Sequence, residues 1–167
     1  MARSEFTARP DNAMNEQQLV SFLSEKREAR LATTRDDGHI HLTPIWYTYR
    51  DGVIRFVLSG GRRHLDNLRR THRATLLVDE DLRYKSGWSS GARAVMMAGT
   101  VDLNEDPDAV SDELRRLSIR YLGPNPESDA GYRDAPGRTA PQQSVATLRP
   151  DVQVSWHFAG QATPEVT

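Results

Sequence analysis

Hydrophobic positions along the chain recur first at helical spacing and then in alternation. Leu19, Phe22 and Leu23 follow Asn15, whose side chain can cap a helix, and they predict a helix to about Glu28. From Arg30 the period shortens to two. Arg30–Arg35 reads as a short strand, Asp36-Asp37-Gly38 as a turn, and His39–Tyr49 as a longer strand. Asp51-Gly52 gives a second turn and Val53–Leu58 a further strand. Within the long strand the apolar phase changes. Ile40 and Leu42 share one parity, while Ile45, Tyr47 and Tyr49 take the other. Such a change marks a bulge or a passage between two packing surfaces, and Pro44, which cannot donate a ladder bond, sits at it.

Ser59-Gly60-Gly61 then breaks the pattern and a helix is predicted from Arg62 to about Thr71, with Leu65 and Leu68 on its buried side. Strands follow at Arg73–Asp79 and Ala92–Leu103, separated by a polar loop carrying Tyr84, Lys85 and Trp88. Asp106 or Asp108 opens a helix through Val110, Leu114, Leu117 and Tyr121. The last strand alternates Val152, Val154, Trp156 and Phe158, with Trp156 and Phe158 expected in the core. Six strands in short succession, with helices beside them, predict a mainly β fold: a six-stranded antiparallel barrel, closed or partly closed, with peripheral helices. Residues 15–160 read as a single domain between tails at 1–14 and 161–167, with the Pro- and Gly-rich segment 123–143 as a loop or lid. Val53–Leu58 is apolar on both faces, so a helix or a second subunit should cover the outer one.

Composition narrows the function. With 22 basic against 23 acidic side chains, a protein that seeks nucleic acid or membrane through its overall charge is not expected. The absence of cysteine excludes disulfides, thiolate metal sites and cysteine nucleophiles. Met1–Asn15 is polar and no apolar run is long enough for a bilayer, so a cytoplasmic location is expected. His39 and His41 share a strand face but lack a third ligand at a useful spacing, and no metal site is assigned. Ser89-Ser90-Gly91 lacks the pattern of a hydrolase nucleophile.

The segment Ser59-Gly60-Gly61-Arg62-Arg63-His64 carries the chemistry. A strand ends, glycines free the backbone, and a helix starts among cations. Amides at a helix N-terminus attract anions, and arginine adds bidentate bonding suited to phosphate oxygens. A wet helix face explains the same arginines equally well, and a basic stripe from Arg62 to Arg73 leaves nucleic acid as an alternative.

Taken in order, Arg30–Thr34, Asp37-Gly38, Leu42–Tyr47 and Phe56–Leu68 resemble the pyridoxamine 5'-phosphate oxidase-like split β-barrel superfamily, within it the branch of flavin- and deazaflavin-dependent oxidoreductases of actinobacteria. The resemblance implies a homodimer with cofactor sites at the subunit interface. It implies a tricyclic ring against Thr43, Pro44, Ile45 and Trp46. It implies a phosphate held at Leu58, Ser59, Gly60, Gly61, Arg62, Arg63 and His64 with Asn67 beside it, and contacts from Tyr84, Lys85 and Trp88 of the other subunit. The family often has a hydroxyl residue at the positions of Leu58 and Arg62, and lysine at that of His64. The cofactor is 8-hydroxy-5-deazaflavin (coenzyme F-420) or FMN; arginines out to Arg73 suit the long anionic tail of the first, which is slightly favoured. The implied activity is hydride transfer with a small planar organic substrate such as a quinone, tetrapyrrole or nitroaromatic. No catalytic acid or base stands out; Tyr47, Tyr84, His64 and solvent are the candidate proton donors. The alternative is a protein that binds flavin, deazaflavin or haem without turnover.

Overall fold

A computed structural model describes residues 13–25, 28–80, 93–126 and 142–157. Within them the order is α1 (Glu16–Ser24), β1 (Ala29–Thr34), β2 (Ile40–Ile45), β3 (Thr48–Arg50), β4 (Val53–Leu58), α2 (Arg63–Thr71), β5 (Arg73–Asp79), β6 (Arg93–Asn104), α3 (Pro107–Leu122) and β7 (Ser144–His157). The expected loop of Tyr84, Lys85 and Trp88, most of 123–143, and Phe158 lie outside the described residues.

Local chemistry sets the boundaries. Asn15 and Gln18 cap α1 reciprocally, each side chain accepting from the other's backbone N–H at 2.8 and 2.9 Å. Asp106 caps α3 ahead of Pro107, and Gly123, at φ 108°, ends it. The two short turns need left-handed backbone at Gly38, Asp51 and Gly52, as their Asp-Gly sequences predict.

All strands pair antiparallel in one sheet of order β2-β1-β5-β6-β7-β4-β3. Two consequences follow from that order. First, the single strand expected over His39–Tyr49 is two strands, which raises the count from six to seven. Trp46 and Tyr47 leave the ladder between them, so the phase change at Pro44 is a passage between packing surfaces and not a bulge. Second, β2 and β3 stand at opposite edges of the sheet, yet only two residues separate them. The sheet must curl until its edges nearly meet, which makes a split barrel.

The inner face is dry. Leu31, Ile54, Phe56, Leu76, Met97 and Leu148 are fully buried there, together with Phe22 and Leu23 of α1 and Leu65 and Leu68 of α2. α1 plugs one end of the barrel. Glu25 at its end pairs with Arg93, which also binds Glu80 and lies over the Phe22 ring. α2 covers the other end through Leu65 and Leu68. α3 lies outside, across β3, β4 and β7, where its buried Glu113 accepts hydrogen bonds from Thr48 and Arg50. No helix among the described residues is long and apolar enough to cross a membrane.

β7 begins well before the expected strand at Val152 and runs through Pro150. It does so by a register shift: Ala98 faces Val152 while Gly99 faces Pro150, leaving Asp151 as the extra residue. A Cβ on Gly99 would lie 1.9 Å from the Arg149 carbonyl oxygen. Gly99→Ala must therefore push two central strands apart. A loss of about 2–3 kcal/mol is expected, readable as a lower urea midpoint at unchanged slope; a loss under about 0.5 kcal/mol would show that the bulge absorbs the methyl. Trp156, expected in the core, is half-buried because this part of β7 faces outward beside Ala94.

Candidate functional site

The slot of the split barrel opens along the inner face of β2. On β1 that face is closed: Ala29, Leu31 and Thr33 are buried. Their partners across the ladder, Ile45, Thr43 and His41, are only half-buried. An edge strand has no neighbour to seal its far side, so this row faces open space. His41 and Ile45 lie four residues apart, about 13 Å along an extended strand. Pro44, with Ile40 and Leu42, points outward. Trp46 follows at the end of the row, 38% exposed, with one ring face stacked on Tyr121 at 4.6 Å and 5° between planes.

The other wall is the entry to α2. The His64 ring lies 6.0 Å from that of His41, which brings the β4–α2 turn against β2. Gly61 takes φ 70°, where a side chain is strained, and nothing lies within 4 Å of the place a Cβ would occupy. α1 and α3 have side-chain caps; α2 has none, its N-cap being Arg62. Its first amides and the positive end of its dipole point out beside Gly61, Arg62 and Arg63, all exposed. Ser59 and Gly60 are half-buried in the same turn.

The arginine stripe is less open than the sequence suggested. Arg69 pairs with Glu105 at 2.7 Å, Arg70 with Asp36 at 3.3 Å and Arg73 with Asp151 at 2.9 Å. Among the described residues, Arg62 and Arg63 are in no ion pair. A broad basic surface for a long anionic tail or for nucleic acid is thus reduced to two cations at the helix start.

Other expected contacts fall elsewhere. The Leu58 side chain is 3% exposed in the core, so it can meet a ligand only through its backbone. Asn67 is buried and spends its amide on the Thr33 hydroxyl at 3.0 Å, tying α2 to β1. Tyr47 is removed from the candidate proton donors: it is fully buried, and its hydroxyl donates to the Leu23 carbonyl at 3.1 Å. Tyr84, Lys85 and Trp88 are not described. The histidine pair also parts. His39 turns to Asp37 at 3.3 Å and His41 to His64; no group of three metal-ligating side chains occurs among the described residues.

The His64 imidazole is biased towards its neutral form. Burial pushes its pKa below the ordinary histidine value, His41 and Arg62 push the same way, and Asp66 opposes them. Well above the ordinary histidine value of about 6.5 the residue is neutral in both folded and unfolded chains; as pH falls towards and through that value, the unfolded chain takes up the proton first and stability drops. His64→Gln should therefore flatten the acid limb between roughly pH 7 and pH 5. Urea midpoints compared across that range would check it, and parallel limbs in the two proteins would refute it.

Sequence reading missed Tyr121 and Arg120. Tyr121 stood only at helical spacing with Leu117, and nothing local linked it to Trp46; the side chain is buried. Its hydroxyl accepts from the Tyr47 backbone N–H at 3.2 Å. Arg120 donates to the carbonyls of Leu23, Ser24 and Glu25 at the end of α1, and its guanidinium lies 4.8 Å from the Tyr47 ring.

The model of the family described as pyridoxamine 5'-phosphate oxidase matches residues 16–151. A biliverdin reductase of Mycobacterium tuberculosis that depends on reduced coenzyme F-420 is 30% identical over 109 residues, covering 64% of this chain and 72% of that protein. Among solved structures, a conserved hypothetical protein from Mycobacterium tuberculosis superposes with a TM-score of 0.76 at 23% identity, over 96% of this chain and 99% of that one. A reductase described by coenzyme F-420 gives 0.58 at 24%, over 80% and 93%. A haem storage protein from Vibrio cholerae gives 0.65 at 14%, over 86% and 96%. Likenesses of this order share the fold.

Proposed function

The chain belongs to the pyridoxamine 5'-phosphate oxidase family, and from that premise we propose that it is a deazaflavin-dependent reductase of a small planar organic substrate. The observation that carries the reading is the open inner row of β2 facing a helix start without a side-chain cap, where Arg62 and Arg63 are exposed and in no ion pair among the described residues. The site fits the cofactor's two unlike parts. Ile45 and Thr43 offer an apolar, half-buried lining for a ring, and Trp46 offers an aromatic face. Gly61, Arg62 and Arg63 offer backbone approach and charge to a phosphate. The dependence of the biliverdin reductase on reduced coenzyme F-420 favours the deazaflavin over FMN.

When bound, the deazaflavin supplies a hydride equivalent; the chain supplies orientation and a dry wall. Arg62 and Arg63 anchor the anionic end. The buried β1 row behind β2 keeps water from the ring's inner side. With Tyr47 committed, Tyr84, His64 and solvent are the candidate proton sources that remain, and burial of His64 disfavours its protonated, donating form.

A homodimer completes the proposal. On the outer face, Leu42, Ala32, Thr75, Ala98 and Val152 stand in register across five strands, and Leu42 is 62% exposed. α3 covers the β3, β4 and β7 side of the sheet. This apolar row lies on the other side, where a second subunit would bury it.

Titration of the purified protein with coenzyme F-420 and with FMN tests the cofactor. A Kd of about 10 μM or tighter is expected for the deazaflavin, with FMN roughly tenfold weaker. If neither binds below about 100 μM, the reading fails. Oxidation of the reduced coenzyme with biliverdin, quinone and nitroaromatic acceptors then separates a reductase from a protein that binds without turnover.

A further inference from the structure

Trp46 sits in the link that leaves β2 and crosses the seam to β3, without ladder bonds of its own. An indole in such a link would ordinarily sample several rotamers. Here one of its faces is occupied by the Tyr121 ring, nearly parallel at 4.6 Å, so its 38% exposure belongs to the opposite face and the edges. Tyr121 also accepts a hydrogen bond from the Tyr47 backbone N–H, which fixes the peptide next to the indole. Tyr121 itself is 5% exposed, with the Arg120 guanidinium 5.5 Å from its ring centre. The hydroxyl bond and the ring stack thus act on adjacent residues of one link.

We infer that Tyr121 is a positioning residue of the proposed ring site, acting through Trp46: it holds the indole so that its outer face is one wall for the cofactor's tricyclic ring. The inference rests on the reading above and goes beyond it by assigning a residue on α3 that touches neither ring nor phosphate. Stacking in advance removes the rotamer freedom that binding would otherwise have to freeze, so losing the stack should appear as lost affinity. The hydroxyl anchors the peptide but not the indole plane, so its removal alone should matter little.

Coenzyme F-420 binding to Trp46→Leu, Tyr121→Leu, the double variant and Tyr121→Phe gives the test, alongside the wild type. Each leucine variant should bind about tenfold more weakly, and the double variant no more weakly than either single one, because both remove the same wall. Tyr121→Phe should stay within about twofold, since the stack survives. Should Tyr121→Leu fail to fold, Tyr121→Met, which fills similar space without a ring, takes its place with the same expectation. A purely structural role would lower thermal stability in Tyr121→Leu without producing this coupling in affinity. Losses that multiply to about a hundredfold in the double variant, or a Tyr121→Leu affinity within twofold of wild type, overturn the inference while the cofactor reading stands. Failure of the wild type to bind the coenzyme removes both.

Discussion

Replacing Arg120 with alanine is expected to cost the protein about 3–4 kcal/mol of stability, a fall of about 10 °C in the thermal midpoint. Three α1 carbonyls, those of Leu23, Ser24 and Glu25, receive its guanidinium hydrogens. The last turn of any helix leaves carbonyls without partners, and a cation there also meets the negative end of the dipole. Charge-assisted bonds contribute roughly 1.5–3 kcal/mol each, but a half-buried site lets water replace part of what is lost, which brings the total below the simple sum of three such bonds. The guanidinium also packs on the Tyr47 and Tyr121 rings. It therefore joins α1, α3 and the seam link at one point. Arg120→Lys should recover less than half of the loss, because an ammonium cannot reach three acceptors while stacking on a ring. Thermal and urea unfolding would measure both; a loss below about 1 kcal/mol in Arg120→Ala would remove Arg120 as the tie between the three elements.

The largest functional effect is expected from reversing the charges at the start of α2. Arg62→Glu with Arg63→Glu should weaken coenzyme F-420 binding by about a thousandfold, since two charge-assisted phosphate contacts are lost and two repulsions gained. Stability should hardly change, because acidic residues at a helix start are favourable to the dipole. That separation of binding from folding makes the double variant decisive. Reversing Arg69 and Arg70, which already pair with Glu105 and Asp36, is the control and should weaken binding far less. Equal losses in both pairs would show that the protein senses general charge along α2 and has no anchor at its N-terminus.

Much of this fold can be read locally. Turns that need left-handed backbone announce themselves as Asp-Gly, and α2 and β5 follow from spacing alone. What spacing cannot convey is partnership. Alternation in His39–Tyr49 reports which side chains share a face, and its phase change does signal two surfaces, but period-two patterns are silent about which strand lies alongside. Hence one expected strand proved to be two, at opposite edges. Pro150 and Asp151 fall outside the strand expected at Val152 because the bulge that admits them is made by Gly99, some fifty positions earlier. The site shows the same limit. Gly61, Arg62 and Arg63 were legible because the helix-start chemistry is local, whereas the acids that occupy Arg69, Arg70 and Arg73 come from the link between β6 and α3, the β1–β2 turn and β7. Glu113, a carboxylate on a polar helix, gave no sign that it would be buried against Thr48 and Arg50.

The place of β7 in the sheet has a consequence for how the protein is made. A ribosome emits β1 to β6 well before β7, yet β7 stands between β6 and β4 and pairs with both. Until it emerges, the nascent chain can form only two separate ribbons, β2-β1-β5-β6 and β4-β3, joined by Trp46 and Tyr47. Each then presents a bare edge, the kind of surface on which chains aggregate. The last of the described strands to be synthesised is the one that stitches them, so the barrel cannot close until β7 has left the ribosome.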